Sequence, residues 1–128
     1  MTGAAALQDY LVAQRIAGDV ATSREDNLRK YAMFADRSTG AMFGLEPKGR
    51  WEFADILELM ARRVGVSPDP GYRRGPDRID PALTVAGLDR MAERLAAAVS
   101  APGARVVVAT GHPAGLLPVH LAVVAALR

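Results

Sequence analysis

The chain has 128 residues, of which 50% are hydrophobic, 5% aromatic and 23% charged, so it can bury one moderate core of Ala, Val and Leu and is too apolar for wholesale disorder. Lys and Arg number 16 against 14 Asp and Glu, for a formal net charge of +2. The basic pairs Arg29-Lys30, Arg62-Arg63 and Arg73-Arg74 lie far apart, which speaks against the concentrated basic face of a nucleic-acid binder, and the absence of cysteine excludes disulfides, thiolate catalysis and Cys-based zinc sites.

The first helix is predicted over Ala4 to about Ala17, with Leu7, Tyr10, Leu11 and Ile16-Ala17 on one face and Gly18 ending it. A second opens at Ser23, a capping residue with Asp26 three positions on. Leu28, Tyr31, Ala32 and Ala35 follow at helical spacing as far as Ser38-Thr39-Gly40. The short apolar run Ala41 to Leu45 is read as either a small edge strand or a buried loop. The third helix has the clearest periodicity: Phe53, Ile56, Leu57, Met60, Ala61 and Val64 form one stripe, and Gly65 stands where a left-handed terminating residue belongs. Glu52, Asp55, Glu58, Arg62 and Arg63 form its wet face, and Trp51 is placed over one end of the core.

Residues 66–81 hold Pro68, Pro70, Pro76 and Pro81 together with Gly71 and Gly75. They read as a long charged loop of the kind that is functional or disordered. A fourth helix turns Val85, Leu88, Met91, Ala92, Leu95 and Val99 inward until Ser100-Ala101-Pro102-Gly103. Arg105-Val106-Val107-Val108-Ala109 then has the composition of a strand covered on both faces. Thr110 to Gly115 is a turn, and a helix apolar nearly all round follows from Leu116, with Pro118 placed in its first turn. No stretch is long and apolar enough to span a bilayer, and the first residues lack the basic and apolar regions of a leader. A cytoplasmic protein with no membrane partner is therefore expected.

These elements give an α/β fold: a helix-rich part over residues 1–100 and a strand–loop–helix unit over 105–128. The latter is read as one βα unit of a Rossmann-like parallel sheet. One convincing strand does not make a sheet. The chain is accordingly expected to be a single domain that forms the N-terminal portion of a longer protein. Its missing strands would come from the rest of that protein or from another subunit.

Ligands of open α/β sheets bind at the carboxyl ends of strands. Thr110, Gly111 and Gly115 are therefore predicted to cradle phosphate with backbone N–H groups and the positive end of the following helix dipole. His112 titrates near neutrality and can protonate a leaving oxygen, ligate a metal or donate to phosphate; as a surface residue it would do none of these. His120, on the apolar helix, reads as a packed core residue. A second polar concentration runs from Arg15 to Asn27. There Arg15 and Arg24 can grip an anion, Asn27 can add a donor, and Asp19 can bind a metal or orient an arginine. The alternative for this segment is a set of caps and surface ion pairs.

Three segments carry a family resemblance: Arg15-Ile16-Ala17-Gly18-Asp19-Val20-Ala21-Thr22 with Asn27-Leu28, the run from Asp80-Pro81 through Leu88-Asp89-Arg90-Met91-Ala92, and Ala109-Thr110-Gly111-His112-Pro113-x-Gly115-Leu116-Leu117. Together they resemble a family of actinobacterial proteins described as phosphatases, whose members continue beyond this C-terminus. The resemblance implies phosphoester hydrolysis and assigns no catalytic residues; the substrate expected at the turn is a small phosphorylated molecule. Mg²⁺ or Mn²⁺ suits such chemistry, since divalent cations clamp phosphoryl oxygens and activate water. The rival from another class is a non-catalytic module that binds a nucleotide or phosphorylated metabolite through the same turn.

Overall fold

A computed structural model describes residues 3–111 and 113–127. The elements in chain order are α1 (Gly3–Ala13), β1 (Gly18–Ser23), α2 (Arg24–Ala35), α3 (Thr39–Met42), α4 (Phe53–Val64), β2 (Pro76–Ile79), α5 (Pro81–Val99) and α6 (Pro113–Ala126). They gather into two compact units, Met1–Gly87 and Leu88–Arg128.

In the first unit local chemistry starts and stops the helices. Ser23 accepts the Asp26 N–H at 3.2 Å and caps α2. Asp55 reaches back to the Glu52 N–H at 2.9 Å at the start of α4. Gly65 ends α4 at φ 78, a left-handed backbone that costs glycine nothing. Asp80 takes the N–H groups of Ala82 and Leu83 at 2.7 and 2.9 Å, opening α5 ahead of Pro81. The apolar stripes of α2 and α4 then meet: Leu28, Tyr31, Ile56, Leu57 and Val66 form the main core, flanked by Trp51, Phe53 and Met60. Each such side chain withdrawn from water contributes about 1.5–3 kcal/mol. A smaller cluster joins Leu11, Ala17 and Val85, with Ile79 against it.

The sheet differs from the one expected. It has two antiparallel strands, β1 and β2, with Gly18 opposite Ile79, Asp19 opposite Arg78 and Ser23 opposite Pro76. The register is irregular between Asp19 and Ser23. Helix α1 therefore stops at Ala13, and the chain turns through Arg15 at φ 56 before entering β1. The supposed junction between two helices is a strand, and the long proline-rich loop contains its partner. Pro76 is tolerated at the first position of β2, where a missing N–H does least harm. The run 41–45, read as a strand or a buried loop, is the end of the one-turn α3 followed by an exposed bend at Phe43.

In the second unit α5 gives way to a turn at Gly103, φ 72, and residues 104–110 run on without strand pairing. The predicted central strand of a Rossmann-like parallel sheet is thus irregular, and Val107 is 89% exposed. β-branched side chains favour an extended backbone, but only a neighbour's N–H and C=O groups make it a strand. Among the described residues none is offered. Helix α6 begins at Pro113, so Pro118 falls in its interior rather than its first turn, where it withholds one backbone donor. No helix among the described residues is long and apolar enough to cross a membrane.

Candidate functional site

Arg24 opens α2 directly after the capping Ser23, and this fixed entry points its side chain inward. It is 0% exposed. Its guanidinium is shared between one carboxylate and three backbone carbonyls. Nε donates to Tyr72 O at 2.9 Å, and Nη2 donates to Ser67 O at 2.8 Å and Asp69 O at 3.1 Å. Nη1 stands 3.5 Å from both oxygens of Asp77, itself 0% exposed. The short bonds go to the loop backbone and the carboxylate balances the charge from slightly farther away. Asn27, one turn along α2, donates to Asp77 Oδ2 at 2.9 Å. The Arg24 N–H adds a bond to Gly75 O at 2.8 Å, and its guanidinium carbon lies 5.6 Å from the centre of the Tyr72 ring. Among the described residues no buried side-chain N or O lacks a partner.

The predicted site residues of the first unit therefore separate. Arg24 and Asn27 meet, but on Asp77 rather than around an open anion site. The expected grip of Arg24 on a ligand does not fit a guanidinium sealed from water. It ties the start of α2 to loop 67–77. Arg15 and Asp19 are exposed, Arg15 in the turn after α1 and Asp19 on β1 opposite Arg78. Sequence reasoning treated Asp77 only as one charge in a long loop. Its signal is faint: an Asp alternating with Ile79 across β2, where the inward positions are otherwise apolar.

In the second unit, Thr110 and Gly111 lie in the turn that leads to α6 and Gly115 lies in its first turn; His112 falls outside the described residues. A side chain placed on Gly111 or Gly115 would meet nothing within 4 Å. The turn thus borders open space at the amino end of a 14-residue helix, where first-turn N–H groups have no partner within the helix and favour anions. Pro113 supplies no such N–H, which leaves Ala114, Gly115 and Leu116 as the first-turn donors. His120, expected in a core, is half-buried on α6.

The description of the phosphatase family matches residues 2–128. This chain belongs to that family. The match takes in both units, and so every residue considered above except those at the extreme ends. A curated phosphatase of Streptomyces coelicolor is 54% identical over 125 residues, covering 97% of this chain and 47% of its own length. The chain thus spans about half the length of that family relative. No solved structure matches. Among the described residues no three His, Asp or Glu side chains stand close enough together to hold a metal ion.

Proposed function

We propose that this chain belongs to a phosphoric ester hydrolase acting on a small phosphorylated metabolite, with the phosphate held at turn 110–115. The observation that carries the reading is the family match across residues 2–128. The open turn at the head of α6 supports the placement, because phosphate carries the charge that such a helix end prefers.

In this reading the Thr110 hydroxyl and the N–H groups of Gly111 and Gly115 bind the non-bridging oxygens. Water attacks phosphorus, the P–O bond to the organic group breaks, and His112 gives its proton to the departing oxygen. Arg15 and Asp19 belong to the first unit and are exposed, and this reading gives them no part at the turn. Arg24 and Asn27 act through position, by holding the loop they are bonded to. The described residues do not by themselves enclose a cation, so the metal enters as an added component of the assay.

The test is phosphate release from a panel of phosphomonoesters by the full-length protein, with and without each cation. His112→Ala is expected to lower kcat by roughly 10²–10⁴-fold, the usual worth of a positioned acid. Thr110→Val should chiefly raise KM. Unchanged turnover in both variants would remove the phosphate from this turn. Binding of the esters without hydrolysis would favour the non-catalytic module instead.

A further inference from the structure

The loop that Arg24 secures carries more than its own stability. A buried ion pair is a poor source of stability, since two charges must leave water, yet this one fixes the backbone on either side of two arginines. Tyr72 O and Gly75 O, which bracket Arg73 and Arg74, both accept hydrogen bonds from Arg24. The Tyr72 hydroxyl closes the bend by donating to Pro76 O at 2.7 Å. Arg73 and Arg74 line a groove of about 580 Å³ together with Glu25 and Arg29 of α2, and Leu28, Ala32 and Phe53 add its apolar lining.

We propose that this groove is an anion site of its own, taking an organic phosphate with a flat, apolar body. The charge balance around it favours an anion. Arg73 has no ion-pair or hydrogen-bond partner among the described residues, and Arg74 Nε lies 3.6 Å from Glu25 Oε1 with both side chains in solvent. Asp26 is shared between Arg29 and Lys30, whose hydrogen bonds hold its carboxyl below the usual value of 3.8. Three arginines, Arg29, Arg73 and Arg74, thus line the groove against one carboxylate, Glu25. Guanidinium groups match phosphate oxygens two at a time, and the half-buried Phe53 supplies an aromatic wall for a ring to lie against. Every residue involved belongs to the first unit, so the inference does not rest on the phosphatase reading or on turn 110–115.

The probes are phenyl phosphate and inorganic phosphate, titrated calorimetrically into the 128-residue chain. Phenyl phosphate is expected to bind at least roughly 10-fold more tightly than inorganic phosphate, and more weakly as salt rises. The double variant Arg73→Ala with Arg74→Ala should lose roughly 10-fold or more of that affinity while its circular dichroism is unchanged, because both side chains are exposed. Phe53→Leu should bring phenyl phosphate down toward inorganic phosphate. No binding of phenyl phosphate, equal affinity for the two probes, or undiminished binding by the double arginine variant would each overturn the proposal. An acidic peptide that binds where phenyl phosphate does not would assign the groove to a protein partner and overturn it likewise. The phosphatase reading is decided by turnover and by His112 and Thr110, whereas the groove is decided by binding and by Arg73 and Arg74, so the two can fail separately.

Discussion

Arginine at the first position of a helix is ordinarily solvated, because its guanidinium finds water more cheaply than any interior. Arg24 departs from this because each direction it points is met by a carbonyl or a carboxylate. Removing one charge leaves the other buried without a counter-charge, so Arg24→Ala or Asp77→Ala is expected to cost about 3–5 kcal/mol, read from urea denaturation. Arg24→Lys should recover little, since one ammonium cannot reach carbonyls spread over Ser67, Asp69 and Tyr72. Tyr31 reports the same region. Burial pushes its phenol above the usual 10.0, the Asp77 carboxylate adds to the rise, and Arg24 opposes it. The raised value favours the neutral phenol in the fold. That contribution is whole below pH 10 and is lost as pH climbs through the folded value. Alkaline titration of phenolate absorbance should show a late component above pH 10 that Tyr31→Phe removes. Its absence from the wild-type chain would contradict the burial.

Among the elements, α4 is the one whose limits and orientation depend least on distant residues. A stripe at positions three and four apart, a carboxylate at the start and a glycine at the end are all local. Gly65 also has a tertiary reason. A Cβ there would stand 2.5 Å from the Asp80 Cβ, while Asp80 N donates to Val64 O at 2.8 Å. Gly65→Ala therefore adds the left-handed penalty of about 1–2 kcal/mol to a clash at the start of α5. Chemical denaturation should show a loss of at least that size, and a smaller one would mean that the two helix ends move apart readily. The strands behave differently. In β1 only Gly18 and Val20 alternate inward around the exposed Asp19, over too few residues to outweigh the helix signals on either side. The valines at 106–108 carry a strong strand composition and form no strand. In both places composition describes what a backbone prefers, whereas pairing depends on what lies beside it.

At the scale of the molecule, both units present apolar surface, the first at Phe43 and Leu45 among others. Leu116, Leu117, Val119 and Leu121 on α6 are all exposed. Contiguous apolar surface of this kind binds other apolar matter. The 128-residue chain is expected to enhance the fluorescence of a hydrophobic dye, and Leu117→Lys with Leu121→Lys to reduce it markedly; equal dye binding would place the apolar surface elsewhere. The two polar regions considered were legible to different degrees. The turn before α6 is readable because glycines, a threonine and a following helix are neighbours in sequence. The Arg24–Asp77 pair is not, because its members stand 53 positions apart and each reads alone as a surface charge.

By itself, the sequence determined the helices α2, α4 and α5, the cap at Ser23, the stop at Gly65 and the phosphatase family, since each depends on residues within a few positions or on motif identity. Only the tertiary structure decided that Gly18–Ser23 pairs with Pro76–Ile79, that the valine run stays unpaired, and that Arg24 faces inward. The physical reason is common to all three. A strand or a buried charge is defined by partners that sequence distance hides, whereas a helix satisfies its own backbone.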